Sequence, residues 1–244
     1  MSTSAPGPTR VPTASAVLAA EIRSRIIRQG LPDGAAIESE PEIIAASGLS
    51  RATVREAIRL LASEGLITTR RGPGGGIRVS RPDLDVSTRS IAMILARSGA
   101  PLRELFEVRI LLEVRAAELC AVAATDDQLA AIRAAVDIHG SRLPGLMDFH
   151  RLVARGSGNE FFVVMLEIVQ SLAEWHTPGE GLDRSALELA GRAHRKIAGR
   201  LSERDPDGAG KAMRVHLEAF RDSLEAVGRL DEPVIRAGDW DPRV

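Results

Sequence analysis

The feature that most constrains the fold of this 244-residue chain is a change of period near residue 81. Ahead of it, helical and strand-like spacing both occur; beyond it only the helical repeat returns. Residues 15–29 put Leu18, Ile22 and Ile26 one turn apart, with Arg23 and Arg25 facing outward. Gly30-Leu31-Pro32-Asp33-Gly34 breaks that helix. Ser39 and Glu42 have capping-box spacing and Pro41 suits a first turn, so a second helix starts there and stops at Gly48. Ser50 caps a third helix, 51–64, ended by Gly65. The strand-like runs 66–70 and 77–80 flank Arg71-Gly72-Pro73-Gly74-Gly75-Gly76, which can turn a hairpin. Helix, helix, helix, hairpin is the order of a winged helix-turn-helix.

Beyond residue 81 the helical repeat recurs at 86–98, 102–123, 126–138, 145–155, 159–175, 183–202 and 206–227. The breaks between these stretches are short, as in an antiparallel helical bundle. The expected layout is a flexible tail at 1–14, a winged helix-turn-helix at 15–80, a linker and connecting helix at 81–101, an all-helical domain at 102–227 and a polar tail at 228–244. The fold class is mostly α.

Charge divides at the same boundary. Residues 1–81 hold 11 Arg, no Lys and 7 acids, a balance of +4; residues 82–244 hold 21 basic and 26 acidic residues, a balance of −5. The overall −1 therefore hides a basic first part. Aromatic residues are only 3% of the chain and Tyr is absent, which argues against stacking of single-stranded bases. The single Cys120 excludes an internal disulfide and a multi-thiolate zinc site. No apolar run approaches 18 residues, and the polar, Pro-rich start lacks a signal-peptide core, so the cytoplasm is the expected compartment, with no membrane partner.

On the third helix Val54, Ala57 or Ile58, and Leu61 form an apolar stripe, while Arg51, Arg55 and Arg59 recur on another face. A helix that packs by one face and offers Arg from the other suits the major groove of double-stranded DNA, where Arg can bind guanine bidentately. Ser50 and Thr53 are short polar groups fit for phosphate or base contacts. Arg70 and Arg71 stand at the hairpin turn, in reach of phosphate or the minor groove.

In the helical part, His150, His194 and His216 interrupt apolar stripes on separate helices. His194 and His216 each lie 11 residues from Asp205, in the last interhelical turn, so antiparallel helices bring both to one level. With His150 they can form a facial set for Zn²⁺ or another divalent transition metal; hydrogen-bonded core histidines are the alternative. Arg109 falls on or beside the apolar face of helix 102–123, where its charge needs an anion. That anion is either a ligand carboxylate or an internal acid such as Glu113, one turn on.

The run LPDGAAIESEPEIIAASGLSRATVREAIRLLASEGLITTRRGPGGGIRV resembles the DNA-binding domain of GntR-family bacterial transcription regulators. The resemblance implies groove reading by Ser50, Arg51, Thr53 and Arg55, with Arg71 and Gly72 serving the wing. Two positions depart from the family pattern: Pro41 stands where a DNA-contacting Arg is frequent, and Ala52 where a second Thr is frequent. LFEVRILLEVRAAEL, DFHRLVARGSGN and AHRKIAGRLSERDPDGAGKAMRVHLEAF resemble the FCD-type, fatty-acid-regulator-like sensor domain. That resemblance implies a small carboxylate effector at Arg109 and a metal on three histidines plus an Asp one turn before the first. Leu146 occupies that Asp position, and Asp148 is on the wrong side of a helix.

The expected function is a ligand-responsive transcription regulator that reads a near-palindromic operator as a homodimer, a repressor by default, with activation left open by the sequence. A DNA binder with a degenerate sensor is one alternative. A three-histidine metal enzyme is the other, and the sequence offers it neither a nucleophile elbow nor a phosphate loop.

Overall fold

The computed structural model describes residues 11–70, 76–81, 84–138, 143–174 and 184–236. It divides into two units, 1–86 and 87–244.

In the first unit, helix α1 (Ala14–Gln29) opens on Thr13, whose hydroxyl accepts from the Ala16 amide at 3.2 Å. Gly30 ends it in the left-handed region. Helix α2 (Glu40–Ser47) carries the expected capping box, with the Ser39 amide donating to the Glu42 carboxylate at 2.7 Å. Gly48, at φ 66°, turns the chain into helix α3 (Arg51–Ser63); a side chain there would be strained. Strands β1 (Ile67–Arg70) and β2 (Gly76–Val79) pair antiparallel, Ile67 opposite Val79 and Arg70 opposite Gly76.

Leu18, Ile22 and Ile26 of α1 meet Val54, Ala57, Ile58 and Leu61 of α3, closed by Ile67, Ile77 and Val79 of the hairpin. Each buried Leu, Ile or Val here contributes about 1.5–3 kcal/mol. One pairing was not visible in the sequence. Residues 34–37 lie along β2, with Ile37 donating to Ile77 at 3.0 Å and Val79 to Ala35 at 2.8 Å. A β-bridge joins Ala36 to Arg78. This segment, which starts where the expected break at 30–34 ends, thus satisfies the free edge of β2.

The second unit is helical, from α4 (Leu84–Ser98, which begins in the first unit) through α5 (Leu102–Ala123), α6 (Asp126–Ile138), α7 (Leu143–Gly156), α8 (Glu160–Glu174), α9 (Arg184–Ser202) and α10 (Pro206–Ala226). Residues 81–101, expected as linker plus connecting helix, consist mainly of α4. Its Ala92 is fully buried with Leu102, Leu105 and Leu172. Thr125 and Gln128 exchange backbone-to-side-chain hydrogen bonds at the start of α6. Asp205 caps α10 by accepting from Gly208 at 2.9 Å, with Pro206 in the first turn.

The segment 228–236 differs from the expected polar tail. Leu230, Val234 and Ile235 are buried. Leu230 and Glu232 carbonyls accept from Arg103 and Leu102, and the Val234 amide donates to Ala100. The free backbone ahead of α5 and three apolar side chains outweigh the local polarity of this stretch. Among the described residues no helix is long and apolar enough to cross a membrane.

Candidate functional site

The first candidate surface is α3. Its apolar stripe is buried, and that fixes the opposite face outward. The side chains of Arg51, Arg55 and Arg59 are 70%, 56% and 73% exposed. Arg55 donates to Glu40 at 2.9 Å, Arg51 lies 3.9 Å from the same carboxylate, and Arg59 pairs with Glu56 at 2.9 Å. Exposed pairs of this kind are worth about 0–1 kcal/mol, so exchange for a phosphate or base edge costs little.

Besides the contact role its position suggests, Ser50 has the capping task expected from its place ahead of α3. Its hydroxyl caps α3 by accepting from the Thr53 amide at 3.2 Å and lies 2.8 Å from the Thr53 hydroxyl. These two groups stabilise the helix start and each other as well as facing solvent. Arg70 ends β1 and is exposed. Arg71 and Gly72 lie outside the described residues.

The second candidate is inside the helical unit. His150 comes from α7, His194 from α9 and His216 from α10. Their Nε2 atoms converge, with His194 to His216 at 3.1 Å, His194 to His150 at 3.2 Å and His216 to His150 at 3.4 Å. His150 and His194 are buried and His216 is half-buried. The Phe149 ring stacks on His194 at 4.1 Å and fixes its plane.

Burial first, then the crowding of a second positive charge beside the His150 and His216 rings and the Arg109 guanidinium, holds His194 far below the usual imidazole range. Burial first, then His150 and Arg109, push His216 down to about 3 against the opposing pull of Glu113. Both are therefore neutral at pH 7, and neutral imidazole is the form that binds metals. Three nitrogens around one tetrahedral Zn²⁺ at about 2.0–2.1 Å stand about 3.3 Å apart. The observed separations fit that requirement, and an all-imidazole set suits Zn, Cu, Fe or Ni.

Behind this set, Glu113 of α5 is 2% exposed. One of its oxygens is in short contact with Nδ1 of His150, and the other accepts from Nε of Arg109 at 2.6 Å. Burial by itself pushes this carboxyl up; the facing His150 and Arg109 outweigh it and hold it well below the usual carboxylate range. Arg109 is thus paired within the protein, the internal alternative of the sequence reading, and its guanidinium carbon lies 5.8 Å from the Phe106 ring centre. Sequence reasoning identified Glu113 only as a partner for Arg109. Its contact with His150 joins residues 37 apart, and no local spacing signals it. Side chains of residues 143–147, Leu146 among them, lie outside the described ones.

An N-terminal winged helix with exposed arginines and a separate helical unit enclosing a polar centre define a class of two-part DNA-binding regulators. The bacterial regulatory protein, gntR family, model matches residues 14–79, and the FCD domain model matches residues 104–219. The HTH-type transcriptional repressor NanR of Salmonella schwarzengrund (strain CVM19633) is 27% identical over 228 residues, covering 87% of this chain and 84% of that protein. NanR of Salmonella typhimurium is also 27% identical over 228 residues, covering 87% and 84%. Among solved structures, Streptococcus agalactiae GntR superposes with a TM-score of 0.65 at 27% identity, over 85% of this chain and 99% of that one. The chain belongs to the GntR family and carries an FCD domain; it is a transcription regulator and not an enzyme.

Proposed function

We propose that this regulator is a cytoplasmic, homodimeric repressor that releases or engages its operator in response to a small organic carboxylate. Repression is taken from the relatives named NanR. The observation that carries the sensing part is the meeting of the three Nε2 atoms of His150, His194 and His216. In this reading those nitrogens hold Zn²⁺ or a similar divalent ion. Such an ion, when bound, supplies a Lewis-acid position for an anionic oxygen. Arg109 adds positive charge beside the centre and orients the carboxylate. Dimerisation matches two heads to the two halves of a near-palindromic site. Ser50, Arg51, Thr53 and Arg55 read the major groove, and Arg70, Arg71 and Gly72 serve the wing. The effector regulates only through a difference in affinity between the DNA-competent and DNA-incompetent states.

The test joins metal analysis of the purified full chain to gel shifts on a DNA site selected from random sequence, with a panel of small organic acids. About one ion per chain, a dimer on DNA and a shift in affinity with one acid are expected. His194→Ala should lower metal content, and absence of metal from both proteins removes the metal from this reading. Arg109→Lys keeps the charge opposite Glu113 but loses the planar fork, so the acid response should weaken while DNA affinity stays.

The engagement of Arg109 by Glu113 favours a second reading, a DNA binder whose helical unit no longer answers to an effector. DNA affinity unmoved across the whole panel, with the ion bound, selects it.

A further inference from the structure

We propose that Glu113 is the positioning residue of the three-histidine centre, holding His150 in the one tautomer whose Nε2 can serve as a metal donor. The inference rests on the metal reading above and adds a residue to it.

Three observations carry it. Glu113 is 2% exposed, so water does not compete for its oxygens. Its partners are divided: one oxygen meets Nδ1 of His150 and the other accepts from Nε of Arg109 at 2.6 Å. The third is the direction of the ring, whose far nitrogen Nε2 points at His194 and His216.

The chemistry follows from donor and acceptor counting. A carboxylate held by an arginine accepts hydrogen bonds and donates none, so Nδ1 of His150 carries the proton. With that proton on Nδ1, the nitrogen left to offer a lone pair to a metal is Nε2, where the other two donors converge. A carboxylate behind a metal-bound histidine also raises the basicity of the ring and fixes its plane. Phe149 fixes the plane of His194 by stacking; Glu113 fixes His150 by a hydrogen bond. Arg109 keeps Glu113 ionised and in place, so one carboxylate sets both the metal-facing histidine and the guanidinium beside it.

Glu113→Gln tests this, because an amide offers one acceptor oxygen where His150 and Arg109 together need two. The full chain and the variant are compared in Zn²⁺ affinity, by competition with a chromophoric chelator, and in the ¹⁵N shifts of His150 in the metal-free protein. The expected result is Zn²⁺ affinity about 10–100-fold weaker, together with loss of the single Nδ1–H form of His150. A folded variant with wild-type affinity and the wild-type tautomer overturns the inference. So does an affinity loss with the tautomer unchanged, which makes Glu113 a structural residue only. If Glu113→Gln does not fold, Arg109→Met/Glu113→Met removes both charges together and is read by the same criteria. If the unaltered protein binds no Zn²⁺, the metal reading fails, and the tautomer comparison still decides whether Glu113 positions His150.

Discussion

Arginine does opposite work in the two units. On α3 the side chains of Arg51, Arg55 and Arg59 are more than half exposed and hold their carboxylates loosely. On α5 the Arg109 side chain is 6% exposed and tied to Glu113, whose other oxygen is tied to His150. The difference is one of solvation. An exposed guanidinium loses little when it exchanges a carboxylate for a phosphate. A buried one has given up its water and must keep a fixed partner. The first unit therefore presents charge for exchange, and the helical unit stores charge in a fixed chain that ends on His150.

The largest effect expected from this contrast comes from one substitution made in both places. Arg109→Ala should cost about 3–5 kcal/mol of stability, because Glu113 is left buried without its cation. Arg51→Ala should move stability by no more than about 0.5 kcal/mol. Denaturant unfolding of the full chain measures both, and comparable losses would erase the contrast. Next in size, Arg51→Ala should cost about 1–3 kcal/mol on the selected DNA site and relax base preference. A competition gel shift with unchanged specificity takes Arg51 out of the reading face.

Ser50→Ala should cost about 0.5–2 kcal/mol, since the hydroxyl caps α3. Circular dichroism melts separate this structural share from the DNA share. If stability is unchanged while DNA binding falls, Ser50 is a contact residue alone. The smallest effect belongs to Glu40. Glu40→Gln should change stability by less than about 1 kcal/mol and leave Arg51 and Arg55 more available, so DNA affinity should rise and fall more steeply with salt. Equal salt slopes would show that these arginines do not meet phosphate.

Much of the fold was legible because its signals are local. The caps at Ser39 and Ser50 and the breaks at Gly30 and Gly48 place the helices within a few residues of the expected bounds. The equal distance of His194 and His216 from Asp205 put their rings opposite each other, and their nitrogens lie 3.1 Å apart. The strand-like pairing of residues 34–37 was not legible. Neither was the packing of 228–236, because both depend on free backbone groups supplied from far along the chain.

By itself, then, the sequence determined the period of each segment, the face each helix buries and the sign of charge each part carries. Hydrophobic spacing and capping act over a few residues, and the chain states them directly. Only the tertiary structure decided what each charge is paired with. Arg109 could take a ligand or Glu113, and Glu113 could take Arg109, His150 or both. The choice depends on which groups lose their water together, and α5 and α7 settle that by burying all three in one place.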